Sequence, residues 1–129
     1  MKKFIQWHNE TFGEKVVKAL EKNNFHSYFV ANRAAAIEKV LSLIPAGATI
    51  GVAGSWTLKE LGIPDQLEKD GHTVYDHNKP GLSMEESNAL RRKELLCDVF
   101  LSGTNAVTLD GQLVNTDGSG NRVAAMSFG

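Results

Sequence analysis

The stretch TIGVAGSWTLKELGIP, residues 49–64, carries the clearest indication of the fold. Its first five residues, 49–53, are apolar and interrupted by glycine, which is typical of a strand buried on both faces of a sheet. A glycine and a serine follow, and Thr57 and Glu60 then have the spacing of a capping box. This spacing predicts a helix that begins near residues 56–57, directly after the strand.

Helices and strands alternate along the rest of the chain. Periodicity and capping residues predict further helices over 4–23, 32–44 and 84–96, and Gly62 with Pro64 interrupts the helix near 56. Ser83 with Glu86 has the spacing of a second capping box, which predicts the start of the helix at 84. Short apolar and β-branched runs predict strands over 25–30, 72–77 and 98–103. Asp110-Gly111 between two apolar runs predicts a hairpin, and residues 117–121 predict a second turn. The sequence therefore predicts a single α/β domain over 1–129, with a mostly parallel sheet, flanking helices and a closing β-hairpin.

The chain ends in an apolar segment, VAAMSFG, residues 123–129. Most domains end in a polar tail that frays. We therefore expect either that this end is docked in a sheet or that the chain continues in a longer parent protein.

Composition excludes several classes of function. The 14 Lys and Arg residues nearly balance the 15 Asp and Glu residues, so no electrostatic attraction to nucleic acid or to an anionic membrane is expected. The first fifteen residues lack the apolar core of a signal peptide, and no run of about 18 apolar residues predicts a transmembrane helix. With a single cysteine, Cys97, the chain forms no internal disulfide, so a cytoplasmic location is expected.

The first candidate site follows the strand at 49–53. Ligands of parallel sheets collect at the carboxyl ends of the strands, and backbone N–H groups at a helix start favour an anion there. Gly54 is the turn residue, while Ser55 and Thr57 supply hydroxyl donors. The alternative is that the glycine makes the turn and one hydroxyl only caps the helix.

The second candidate site follows the strand at 98–103. Gly103, Thr104 and Asn105 supply a flexible backbone and neutral hydrogen-bonding groups at the same predicted edge of the sheet. The alternative is that they only satisfy the backbone of the loop.

The Gly-rich turn at 117–121 places Asn121 and Arg122 as further candidates. An arginine after such a turn can hold a carboxylate or phosphate through two parallel hydrogen bonds. The alternative is a surface arginine that pairs with Asp110 or Asp117.

Other polar residues have simpler interpretations. The histidines at 8, 26, 72 and 77 lack the spacing of metal ligands, so no metal site and no cofactor is expected. We interpret His77 as a solvated loop residue, the alternative being that it reaches the crevice at the strand ends. Trp56 is by default a core residue, the alternative being that it lines the mouth of the pocket. Glu94 is interpreted as part of the hydrated face of the helix at 84–96, and Cys97 as a core residue.

Two segments resemble the LUD (lactate-utilisation) domain family. They are GSWTLKELGI, residues 54–63, and GLSMEESNALRRKELLCDVFLSGTNAVTLDGQLVNTDGSGNRVAAMSFG, residues 81–129. The resemblance runs from about residue 5 to 129 and is most specific over 98–129. Family members typically continue past the final SFG, which implies that the chain lacks the family's C-terminal part.

The resemblance implies a fold like those of ribose-phosphate isomerase, glucosamine-phosphate deaminase and the CoA transferases. The loop GVAGSWT is loosely similar to the phosphate loop of the isomerases, but SGTNA lacks their carboxylates, and no transferase-type glutamate nucleophile is found. The resemblance also implies a role in lactate oxidation alongside iron–sulfur partner proteins. One cysteine cannot hold such a cluster in this chain.

Three functions remain open from the sequence. The leading one is a LUD-domain protein that binds a small anionic metabolite at the strand ends. The first alternative is an enzyme of the isomerase/CoA-transferase fold on a phosphorylated or acyl substrate, which a pocket carboxyl of raised pKa would favour. The second is an interaction subunit, either a homodimer or a module on an iron–sulfur oxidoreductase, which an apolar surface patch would favour.

Overall fold

The computed structural model describes residues 1–129, which form six helices and five short strands. The helices are α1 Lys2–Lys22, α2 Arg33–Leu43, α3 Trp56–Glu60, α4 Ile63–Lys69, α5 Met84–Glu94 and α6 Asn121–Phe128. The strands are β1 Ile50–Val52, β2 Val74–Asp76, β3 Val99–Leu101, β4 Ala106–Val107 and β5 Leu113–Val114.

The chain divides into two compact units. The first unit comprises Met1–Ala36 and Thr104–Asn115, with α1 and the β4–β5 hairpin. The second unit comprises Ile37–Gly103 and Thr116–Gly129, with the parallel sheet and the helices from α3 to α6.

The second unit is built on a three-stranded parallel sheet in the order β2-β1-β3. Ile50 of the central strand pairs with Val74 on one side and with Val99 on the other. The central strand is buried along its whole length, as expected for a parallel sheet with both faces covered. The predicted α/β class and mainly parallel sheet are confirmed.

A carboxylate clamp joins the residues that precede β1 and β3. The Asp98 carboxylate, just before β3, accepts hydrogen bonds from the backbone N–H of Thr49 (2.8 Å) and from its hydroxyl (2.7 Å). These hydrogen bonds lower the pKa of Asp98, the backbone one most strongly. The clamp fixes β3 beside β1 before either strand begins.

The core lies between the sheet and helices α3 and α4. The fully buried members of the core include Ile50, Ile63 and Leu67. Gly62 adopts a left-handed conformation with φ 67° between α3 and α4, so the predicted interruption of this helix is confirmed. The side chain that caps α3 is Ser55, whose hydroxyl accepts from Leu58 N–H at 3.3 Å, so the predicted capping box at Thr57 and Glu60 is wrong.

The capping box predicted for α5 is confirmed. The Ser83 hydroxyl accepts from the N–H of Glu86 at 3.1 Å, and the Glu86 carboxylate accepts from the N–H of Ser83 at 2.7 Å. This reciprocal pair sets where α5 begins.

In the first unit, the predicted hairpin at Asp110-Gly111 is confirmed, with β4 and β5 antiparallel. Gly111 takes φ 84°, and its Cα lies so close to Ala19 that a side chain would collide with the backbone of α1. Asn23 donates to the carbonyl oxygens of Asp110 (3.2 Å) and Gly111 (2.7 Å). The end of α1 therefore holds the hairpin turn.

The strand predicted over 25–30 is wrong, and so is one of the two alternatives for the end of the chain, docking in a sheet; the other, a longer parent protein, stays a prediction. Residues 25–30 form no strand, although their composition favours one. The apolar end of the chain is helix α6 and is not docked in a sheet. Strand propensity needs a neighbouring strand to be realised, and no strand of either sheet pairs with residues 25–30.

Candidate functional site

A cleft of about 480 Å³ opens at the carboxyl ends of β1 and β2 in the second unit. Its walls combine the two strand ends with residues of α3, of α4 and of the segment after β2. The lining residues are Val52, Ala53, Gly54, Ser55, Trp56, Lys59, Gly62, Pro64, Asp65, Glu68, Asp76, Asn78, Lys79 and Pro80. This volume suits a small-molecule ligand, and the position is where ligands of parallel sheets bind.

Close approach of the backbone shapes the floor of the cleft. A side chain at Gly103, after β3, would place its Cβ 3.1 Å from the hydroxyl oxygen of Ser55. A Cβ at Gly54 would lie 3.4 Å from the side-chain nitrogen of Asn78. Residues that follow all three parallel strands therefore meet around Gly54 and Ser55.

Of the two lysines in the cleft, one forms a salt bridge and the other does not. Two lysines, Lys59 and Lys79, face three carboxylates at residues 65, 68 and 76. Lys79 forms a salt bridge with Glu68, while Lys59 forms no salt bridge and lies with its Nζ 5.4 Å from the ring centroid of Trp56. Lys59 is therefore the lysine of the cleft that can accept an anionic partner.

Trp56 forms an aromatic rim of the cleft. It is 78 % exposed, so its interpretation as a core residue is wrong. Across the cleft, the Asp76 carboxylate accepts from the backbone N–H of Asn78 (2.8 Å) and from its side-chain amide (3.2 Å). The cleft thus offers a flat apolar surface, one available cation and an ordered amide.

A buried carboxylate and imidazole lie next to the cleft, where His77 follows one lining residue, Asp76, and precedes another, Asn78. Glu94 of α5 is 1 % exposed and the His77 side chain 8 % exposed, and Nδ1 of His77 lies 2.8 and 3.0 Å from the two carboxylate oxygens. Burial raises the pKa of Glu94, and the hydrogen bonds and charge of His77 partly offset that rise. The predictions of a solvated His77 and a hydrated Glu94 are both wrong.

Only part of the first predicted site lines the cleft. Gly54 and Ser55 do so, whereas Thr57 is exposed on α3 and is not among the lining residues. Gly103 contributes by leaving room for the Ser55 hydroxyl.

Thr104 and Asn105 belong to the first unit and open its hairpin. The Thr104 hydroxyl donates to the carbonyl oxygen of Val114 at 3.1 Å, and the N–H of Asn105 donates to the same oxygen at 3.1 Å. These contacts are the backbone role that the sequence left open as the alternative. A ligand role for the two residues stays a prediction.

Asn121 and Arg122 begin α6 in the second unit and do not line the cleft. The Asp117 carboxylate accepts from the backbone N–H groups of Arg122 (2.8 Å) and Val123 (3.1 Å), and the Arg122 guanidinium donates to the carbonyl oxygen of Thr116 (2.8 Å). Partial burial acts to raise the pKa of Asp117, but the N–H groups of Val123, Ser119, Arg122 and Gly120 lower it overall. Arg122 and Asp117 together close the turn before α6.

The residues that the sequence analysis missed sit mainly after β2. Asp76, Asn78 and Lys79 follow that strand as Gly54 and Ser55 follow β1, so the rule applied to the other strand ends would have found them. No sequence signal identified the buried position of Glu94, because that position depends on the contact of α5 with His77.

No group of three or more His, Cys, Asp or Glu side chains is arranged to hold a metal ion. The Cys97 thiol donates to the carbonyl oxygen of Glu94 at 3.0 Å, and burial raises its pKa, which disfavours a reactive thiolate. No helix is both long and apolar enough to span a membrane.

The fold and the cleft define an α/β protein with a ligand-sized site at the carboxyl end of a parallel sheet. The LUD domain model matches residues 13–129, so the chain belongs to the LUD domain family. It is therefore a lactate-utilisation-related domain, and the resemblance seen in the sequence is confirmed. No curated protein and no solved structure matches the chain significantly.

Proposed function

We propose that this LUD domain binds a small metabolite with one anionic group in the cleft at the ends of β1 and β2. The observation that carries the proposal is the position of Lys59, a cation outside any salt bridge beside the exposed ring of Trp56. The hydroxyl of Ser55 and the amide of Asn78 add neutral hydrogen-bonding groups in the same cleft.

The balance of charges narrows the class of ligand. With two lysines against three carboxylates, the cleft opposes a ligand that carries several negative charges. The carboxylates of Asp65 and Asp76 can instead accept hydrogen bonds from ligand hydroxyl groups. Hydroxy acids such as lactate and sugar monophosphates therefore fit better than nucleoside triphosphates or acyl-CoA.

A thermal-shift panel tests this proposal. Lactate, pyruvate, ribose 5-phosphate, ATP and acetyl-CoA are each added to the wild type and to Lys59→Ala. The control is Lys69→Ala, which removes an exposed lysine of α4 outside the cleft. A ligand at about 100 times its Kd should stabilise the wild type by about 2.7 kcal/mol.

We expect the shift to persist in Lys69→Ala and to be lost in Lys59→Ala. Arg122→Ala is expected to bind like the wild type, because Arg122 donates to Thr116 and does not line the cleft. A wild type that no panel member stabilises would contradict metabolite binding. Loss of binding in Arg122→Ala with retention in Lys59→Ala would place the ligand elsewhere.

The enzyme alternative gains no support from the cleft. The carboxyl with a raised pKa is Glu94, which contacts His77 and does not line the cleft. Carboxylates alone, without such a group, do not distinguish binding from catalysis.

A second candidate function, docking on a partner protein, is supported by the surface of the first unit. Helix α1 spans 21 residues without a buried one, and Phe4, Ile5 and Trp7 are exposed along it. An apolar groove of about 500 Å³ runs beside it, lined among others by Phe12, Val16 and Phe29. Aromatic side chains are enriched where proteins associate, so a homodimer or an iron–sulfur oxidoreductase subunit is the proposed partner.

Sedimentation of the wild type and of Trp7→Ser tests the homodimer. We expect a species of twice the 14.1 kDa chain mass that dissociates in the variant. A monomer at high micromolar concentration would contradict self-association, and titration with the oxidoreductase subunit would then test the other partner.

A further inference from the structure

We infer that Glu94 and His77 are positioning residues, through which α5 holds the β2 side of the cleft in its binding geometry. The effect on ligand binding rests on the proposed function, whereas the contacts between His77 and α5 are present without a ligand.

Three polar groups of His77, the backbone N–H, the carbonyl oxygen and Nδ1, are held by α5. The His77 N–H donates to the Glu94 carboxylate at 3.1 Å, and its ring nitrogen Nδ1 lies 2.8 Å from the same oxygen. The carbonyl oxygen of His77 accepts from the hydroxyl of Ser87 at 3.1 Å. Ser87 and Glu94 lie two turns apart on one face of α5, so the residue is held at both ends of its backbone.

The chain neighbours of His77 form one wall of the cleft. Asp76, Asn78, Lys79 and Pro80 all line it. Consecutive Cα atoms are fixed about 3.8 Å apart, so the position of His77 restricts where its neighbours Asp76 and Asn78 can lie. The contacts of His77 with α5 therefore fix the backbone between these lining residues, while Asp76 holds the Asn78 amide and Glu68 holds the Lys79 ammonium.

Stability alone does not explain this buried pair. Taking a carboxylate and an imidazole out of water is costly, and apolar side chains of similar volume often stabilise a core as well or better. Asp76 adds a further negative charge that raises the pKa of Glu94. This pair instead gives the segment after β2 directional hydrogen bonds, which apolar side chains cannot supply.

The ligand-free test is hydrogen exchange and ¹⁵N spectroscopy of the full chain. In Glu94→Gln one of the two oxygens beside Nδ1 of His77 becomes an NH₂ donor and the negative charge is removed, so a single neutral oxygen must accept from both the backbone N–H and the ring. We expect the imidazole ¹⁵N signals to report this change. The amides of His77 and Asn78 should exchange about tenfold faster, and that of Val17 in α1 should not change.

Two further variants make the test specific. Ser87→Ala removes the hydrogen bond to the His77 carbonyl and leaves the buried carboxylate in place, so it serves if Glu94→Gln does not fold. Glu85→Gln makes the same chemical change on an exposed residue of α5 and should match the wild type.

The binding test uses inorganic phosphate as the probe, titrated into ¹⁵N-labelled protein. We expect a Kd about tenfold weaker in Glu94→Gln and in Ser87→Ala, and unchanged in Glu85→Gln. If the wild type binds no phosphate and no panel ligand, the proposed function fails, and the exchange data alone decide the positioning role. Unchanged His77 and Asn78 exchange in Glu94→Gln, or an unchanged Kd, would overturn the inference.

Discussion

Replacing Gly51 with alanine should push α5 away from the sheet. Gly51 lies in the middle of the central strand, and an added Cβ would lie 2.8 Å from Cys97 Sγ, 3.0 Å from Phe100 Cδ2 and 3.1 Å from Glu94 Cα. The sulfur can move a little, but the Cα of Glu94 is backbone, so the helix end itself must shift. Overpacking of this kind costs about 1–3 kcal/mol.

The assay is thermal unfolding followed by circular dichroism. An unfolding entropy of roughly 2.1 cal/mol/K per residue over 129 residues converts that loss to a Tm about 4 to 11 °C lower. Gly118→Ala is the control, since nothing lies within 4 Å of its added Cβ. A surface change of that kind should alter stability by no more than about 0.5 kcal/mol.

A double variant identifies the cause of the loss. Cys97→Ala removes the nearest atom, so Gly51→Ala should cost less in the Cys97→Ala background, while the contacts with Phe100 and Glu94 keep the recovery partial. A Tm for Gly51→Ala equal to that of Gly118→Ala would refute the close packing of α5 on β1. An equal cost in both backgrounds would refute the role assigned to the thiol.

Three further predictions concern the second unit. Leu67→Ala should lower the free energy of unfolding by about 2–5 kcal/mol in a urea titration, because this fully buried side chain leaves a cavity in the core, and a loss below 1 kcal/mol would contradict its core position. Ser83→Ala should cost about 1 kcal/mol through loss of the α5 capping box, and an unchanged urea midpoint would contradict that cap. Because the pKa of Asp98 is lowered in the folded protein, its contribution to the free energy of unfolding is complete above its unfolded pKa and is lost as the pH falls through its folded pKa. In Asp98→Asn the acid-induced loss of stability should therefore lack the part that comes from this carboxylate. Identical acid unfolding profiles of the wild type and the variant would contradict the Thr49 clamp.

The fold was largely predictable because its signals are local. The Ser83 and Glu86 spacing located the start of α5, and Gly62 with Pro64 located the break between α3 and α4. The turn at Asp110-Gly111 was equally clear. In each case a few neighbouring residues determine the conformation, so no tertiary information was needed.

The predictions were wrong where the conformation or burial of a residue depends on its tertiary neighbours and not on the local sequence pattern. Residues 25–30 have strand composition, but a strand exists only beside another strand, and none pairs with them. Trp56 is apolar and was placed in the core by its type, yet it lies at the first position of α3 on the rim of the cleft. Residue type gives the average burial of a side chain and not its burial at one strand end.

Glu94 shows most clearly why the site could not be read from polarity. A glutamate on a charged helix was assigned to solvent, but its position on the Ser87 face of α5 directs it against the segment after β2. There it contacts the N–H and the ring of His77. A helical projection of α5 does not show this contact, because His77 lies outside the helix. The polar face of a helix is therefore not always its hydrated face: where it packs on a strand end, buried polar contacts can fix the backbone that lines a ligand cleft.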